Sequence, residues 1–147
     1  MSDLLTAEAI QLHETAADKE TAIRRCGEVL TETGAVSSDY TTAMLKREES
    51  ISTYVGEGVA IPHGTAEAKS SIKRDSLAVV RFPAGVDWGG ETVHVCVAIA
   101  AQGDGHVSLL AALAEILLDS EAAAALRDTD EPSEVIRLLE SVGKETH

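Results

Sequence analysis

Two stretches, residues 77–82 and 93–101, are apolar at nearly every position, and they constrain the fold of this chain more than any other feature. A strand with one wet face alternates polar and apolar side chains, whereas an unbroken apolar run belongs to a strand covered on both faces. The two runs are therefore predicted to form the centre of a sheet with further elements packed on either side. Between them Pro83-Ala84-Gly85 and Asp87-Trp88-Gly89-Gly90 supply turn residues. Trp88 is expected there partly exposed and without a role.

The covering layers read as helices. Asp18 suits an N-cap, and apolar positions at Ala22, Ile23, Cys26, Val29 and Leu30 mark an amphipathic helix ending near Gly34. A short strand is expected before it, over residues 9–13. A second helix starts after Ser37-Ser38 with Tyr40, Ala43 and Met44 on its buried face, and helical spacing puts Arg47 on that same face. Periodicity alone reads such an arginine as one whose stem packs while its head reaches solvent or a helix C-terminus. Further helical patterns occupy residues 106–118, 121–127 and 132–142, the last opening on Pro132 and capped by Gly143. Strands flanked by helices before and after imply an α/β layer fold. The 147 residues fit a single domain, residues 1–147, with one core.

A formal charge of −13 argues against nucleic acid and anionic membranes as partners and favours a basic protein, although solubility alone would also explain it. Cys26 and Cys96 share no metal-type spacing and read as reduced core residues. No apolar run approaches the ~20 residues needed to span a bilayer, and no signal peptide is evident, so the chain is expected to be cytoplasmic.

Chemistry concentrates in Gly58-Val59-Ala60-Ile61-Pro62-His63-Gly64. Apolar residues carry the backbone outward, Pro62 bars ladder pairing on its nitrogen, and Gly64 permits a sharp turn, which leaves one histidine presented at the tip. Together with Arg47-Glu48 and Val55-Gly56, this run resembles the active-site signature of the enzyme IIA domains of the bacterial phosphoenolpyruvate-dependent sugar phosphotransferase system, in the mannitol/fructose branch (type 2). The resemblance continues through Thr65-Ala66-Glu67-Ala68-Lys69, which looks most like the mannitol type. It returns at Gly105-His106-Val107-Ser108-Leu109-Leu110 and covers essentially the whole chain.

The resemblance implies a single mixed β-sheet of about five strands flanked by helices on both faces. It also implies a phosphoryl carrier without cofactor or metal, in which His63 accepts a phosphoryl group from the phosphocarrier HPr and passes it to a cysteine of enzyme IIB. Membrane association would be only indirect, through the transporter. His106, at a helix start where free N–H groups favour an anion, is implied beside His63. Arg47 is implied near the phosphoryl group, and Thr53 could add a hydroxyl contact. Neutral imidazole has a free lone pair at cellular pH and needs no separate base to attack phosphorus. His13 and His147 read as surface residues and His94 as packed or at an edge. Zinc binding lacks a third ligand at metal spacing, with only Glu57, Asp104 or the core Cys96 to offer. No phosphate-binding glycine loop supports a nucleotide kinase. A regulatory phosphohistidine module of the nitrogen type is the alternative function.

Overall fold

The structure, a computed structural model, describes residues 7–50, 52–64, 70–101 and 105–139. After a 3-10 turn at Ala7–Ala9 come β1 (Ile10–Gln11), α1 (Lys19–Glu32), α2 (Asp39–Ser50), β2 (Tyr54–Gly56), β3 (Val59–Ala60), β4 (Ser76–Asp87), β5 (Thr92–Ala100), α3 (Gly105–Leu117), α4 (Ser120–Asp128) and α5 (Pro132–Leu139). The strands form one five-stranded sheet in the order β1-β4-β5-β3-β2. It is mixed: β1 runs parallel to β4 and β3 parallel to β5, while β4 with β5 and β2 with β3 are antiparallel.

The two apolar runs are the sheet's centre, as their lack of alternation requires. On β5, Cys96, Ala98 and Ala100 face one apolar cluster with α1 and α2, and Val95, Val97 and Ile99 face another with α3, α4 and α5. Alternate side chains thus enter opposite cores, and neither face is left for water. At the start of α1, the Asp18 carboxylate accepts the Thr21 amide at 2.8 Å. That contact satisfies one of the helix's orphan donors and holds the carboxyl below its ordinary pKa.

Two expectations are corrected. The strand β4 does not end at Phe82: it continues through Pro83-Ala84-Gly85 and re-pairs at Val86↔Val93 and Asp87↔Thr92, with a register shift between Arg81 and Val86. Pro and Gly are tolerated in a strand at such an irregularity, and Gly85 has φ +84°, a conformation side chains disfavour. The chain reverses only afterwards, where the Trp88 amide reaches the Glu91 carbonyl at 2.7 Å. Trp88 itself is 2% exposed and not at the surface. Its indole donates from Nε1 to Glu48 Oε2 at 3.1 Å, and the Lys19 ammonium stands 5.8 Å from the ring centroid. A buried acceptor for its one polar atom is what lets the ring enter the core.

Candidate active site

His63 stands where β3 would continue past its last regular residue. The register set by Val59↔Val95 and Ala60↔Cys96 is kept across Pro62 at an isolated bridge, His63↔Ile99. The proline lacks an N–H, but its carbonyl still accepts the Ile99 amide at 2.9 Å. Strand alternation places His63 on the side of Val59 and Ile61, which is the α3–α5 face.

The peptide groups on both sides of His63 are held. The one before it is fixed by the Pro62–Ile99 bond. The one after it donates from the Gly64 amide to the Tyr40 hydroxyl at 2.9 Å, and that hydroxyl donates onward to the Ile99 carbonyl at 2.8 Å. A single residue of β5 therefore anchors both flanks, directly on one side and through Tyr40 on the other. Tyr40 comes from α2 and is buried, which pushes its phenol pKa up against the opposing pull of the Gly64 N–H. Gly64 is required by close approach: a Cβ there would lie 2.6 Å from Tyr40 Cε1.

The imidazole is constrained as well. Nδ1 lies 3.0 Å from the Ile61 carbonyl oxygen. A carbonyl only accepts, so Nδ1 carries the proton and Nε2 keeps the lone pair in neutral His63. The residue is 7% exposed. Burial and the Nδ1 bond leave a nucleophile that presents an edge and does not swing freely.

Arg47 lies in the last turn of α2, half-buried. Seven residues separate it from Tyr40, so it shares that residue's helix face about 10 Å further along the axis. His106 lies in the first turn of α3, directly after the end of β5 that carries Ile99, and its side chain is outside the described residues. The segment from Thr65 to Lys69 is outside them too. Thr53 does not offer its hydroxyl proton to a phosphoryl group, because it donates to Glu48 Oε1 at 2.6 Å. His13 is exposed, and His94 is half-buried on β5 against the glycines at 58 and 85; His147 is outside the described residues.

Sequence reasoning missed Glu48 and the hydroxyl of Tyr40. Glu48 is 6% exposed and accepts from the Thr53 amide at 2.9 Å as well as from Thr53 Oγ1 and Trp88, with Lys19 Nζ at 3.6 Å. It joins the end of α2 to the start of β2, next to the site. At a distance from His63, buried Arg81 donates to the Leu12, Arg127 and Thr129 carbonyls and to Asp130, and with Pro83, His94 and Arg127 it lines a hollow of about 350 Å³. Only the Glu48 position carried a signal: an acidic residue on the same buried face as Tyr40 and Met44.

The family described as phosphoenolpyruvate-dependent sugar phosphotransferase system, EIIA 2, matches residues 3–142. The mannitol-specific phosphotransferase enzyme IIA component of Staphylococcus aureus is 40% identical over 121 residues, which is 82% of this chain and 84% of that protein. The multiphosphoryl transfer protein of Xanthomonas campestris is 38% identical over 136 residues, 92% of this chain. The chain spans 16% to 36% of the length of the multiphosphoryl transfer proteins it matches. Among solved structures, the complex of enzyme IIAMTL with phosphorylated enzyme IIBMTL from Escherichia coli aligns with a TM-score of 0.86 at 36% identity, covering 94% of this chain and 99% of that one.

Proposed function

The chain belongs to the EIIA type-2 family of the phosphoenolpyruvate-dependent sugar phosphotransferase system, and from that premise we propose that it relays a phosphoryl group through Nε2 of His63 in sugar uptake. The donor is phosphorylated HPr and the acceptor a cysteine of a mannitol-type enzyme IIB. Residues 1–147 act as one IIA domain, cytoplasmic and tied to the membrane only through its transporter. Among the described residues no helix is long and apolar enough to cross a membrane.

The observation that carries the reading is the bond between His63 Nδ1 and the Ile61 carbonyl. In the first step the Nε2 lone pair attacks phosphorus, the Nε2–P bond forms, and the bond to the donor breaks with its electron pair leaving on HPr. Nδ1 keeps its proton, so the phosphorylated ring carries positive charge and its N–P bond is weakened. In the second step a cysteine thiolate of IIB attacks, and the electrons of the N–P bond return to Nε2 as neutral imidazole leaves. No proton has to move on the ring in either direction, and catalysis reduces to positioning and charge. Arg47 and His106 supply the charge, the arginine by hydrogen bonds to phosphoryl oxygens of roughly 1.5–3 kcal/mol. The helix N-terminus under His106 adds roughly 0.3–1 kcal/mol toward an anion.

Incubation with a phosphoenolpyruvate-driven donor chain and HPr should give a single acid-labile, base-stable phosphate, absent in His63→Ala. His106→Ala and Arg47→Ala should fold and transfer slowly. A label that persists in His63→Ala refutes the assignment. Phosphorylation followed by no transfer to any IIB would support the regulatory role in its place.

A further inference from the structure

The hydrogen bonds around His63 form a closed circuit with one side chain in it. From the Pro62 carbonyl the path runs to the Ile99 amide, across that residue to its carbonyl, through the Tyr40 hydroxyl to the Gly64 amide, and back along the backbone through His63. Every member but Tyr40 is a main-chain group. We propose that Tyr40 is a positioning residue for phosphoryl transfer: its hydroxyl, by accepting from Gly64 and donating to Ile99, holds both peptide planes of His63 so that Nε2 keeps the direction needed for attack. This rests on His63 being the phosphoryl acceptor.

The geometry distinguishes this from ordinary packing. A tyrosine kept for its ring alone would be replaceable by phenylalanine, and its hydroxyl would need only one partner. Here the oxygen uses both its donor and an acceptor position, on two different segments of chain. The bond of His63 Nδ1 to Ile61 fixes the ring relative to its own backbone. It does not fix that backbone relative to the sheet. The second task falls to the Pro62–Ile99 bond and to Tyr40. Without Tyr40, the peptide after His63 loses its side-chain tie to β5 and keeps only the backbone bridge of His63 with Ile99, so ψ of His63 gains room to vary. Tyr40 also shares its helix face with Arg47, so α2 would deliver the positioning hydroxyl and the proposed phosphoryl-binding guanidinium as one rigid unit.

Tyr40→Phe tests the proposal, because it deletes one oxygen and keeps the ring. Transfer from phosphorylated HPr to wild type, Tyr40→Phe and His63→Ala is followed over a range of HPr concentrations. In parallel, the ¹⁵N shifts of the His63 ring nitrogens are recorded without phosphate. The expected result is a fall of about tenfold in the maximal rate, the size of a modest loss of alignment, with the KM for HPr within about twofold. The Nδ1 and Nε2 shifts should move as the strand end leaves its place on the sheet, with Nδ1 still the protonated nitrogen because its bond to Ile61 lies within that strand end. A stabilising role alone would lower the unfolding midpoint and leave rate per folded molecule and ring shifts at wild-type values, and that result overturns the proposal. Should Tyr40→Phe not fold, Gly64→Ala probes the same circuit from the other side, since its Cβ displaces the ring; unchanged rate and shifts there overturn it equally. If wild type takes no phosphate, or His63→Ala takes as much, the carrier reading fails, while the ring shifts still decide whether Tyr40 positions His63.

Discussion

Replacing Glu48 by Ala should be among the most damaging single changes outside the apolar core. Its carboxylate accepts from the Thr53 amide, the Thr53 hydroxyl and the Trp88 indole, and its side chain is 4% exposed. In the alanine variant two buried N–H donors lose their only acceptor in that network, each costing about 1–3 kcal/mol, whereas the Thr53 hydroxyl can rotate. Removing the buried charge returns some desolvation energy, so the net cost lands near ~3–4 kcal/mol, within the range for breaking a buried ionic network. For a domain of this size that lowers the melting temperature by about 10 °C. Glu48→Gln should cost only about 1–2 kcal/mol, because its amide oxygen can still accept from Thr53 and Trp88 while its NH2 donates to the Thr53 hydroxyl. Urea unfolding followed by far-UV circular dichroism and by emission of Trp88, the chain's one tryptophan, reads both. A loss below about 1 kcal/mol in Glu48→Ala, or an equal loss in the two variants, would refute the argument that unsatisfied donors dominate.

The Asp130 carboxyl is held below its ordinary pKa by its hydrogen bond and charge contact with Arg81. A group depressed in the folded state contributes stability above its unfolded pKa and loses it as pH falls through the folded one. The acid limb of wild type should therefore be steeper than that of Asp130→Asn below about pH 4, and parallel limbs in urea titrations would contradict this. Cys26 and Cys96 are fully buried, and burial beside Cys26 pushes the Cys96 thiol well up. Neither should react with a maleimide until the protein unfolds, and Cys26→Ala/Cys96→Ala should still accept phosphate; rapid labelling of the native protein would count against both statements. With a net charge of −13, phosphoryl transfer from HPr should slow as ionic strength rises above about 0.1 M, where the Debye length falls below ~10 Å, and a salt-independent stopped-flow rate would remove electrostatic steering.

Features whose cause is local were legible in the sequence. The Asp18 cap acts on an amide three residues away. The apolar faces of α1 and α2 follow from spacing alone, and the doubly covered strands from the absence of alternation. What the sequence withheld depends on partners far along the chain. Pro83 and Gly85 serve equally well in a turn or in an irregular strand, and only pairing with Val93 and Thr92 decides for the strand. Trp88 is buried because Glu48, forty residues earlier, supplies an acceptor for its indole. Glu48 in turn stood in the sequence only as the neighbour of the more conspicuous Arg47, and nothing in its spacing marks Trp88 as its partner.

The candidate site sharpens that distinction. His63 was conspicuous because proline and glycine on either side are side-chain statements, but five of the groups that hold it are main-chain atoms: the carbonyls of Ile61 and Pro62, the amide of Gly64, and the amide and carbonyl of Ile99. Constraints of that kind leave no residue type behind, since any side chain that sustains the strand supplies the same carbonyl and amide. Only two positions in the circuit demand a particular residue. Gly64 is demanded because a Cβ would strike the Tyr40 ring, and Tyr40 because its hydroxyl takes the Gly64 amide and donates to the Ile99 carbonyl. Which ring nitrogen keeps its lone pair for chemistry follows from the strand's own geometry, and helix α2 contributes one hydroxyl to hold that strand end still.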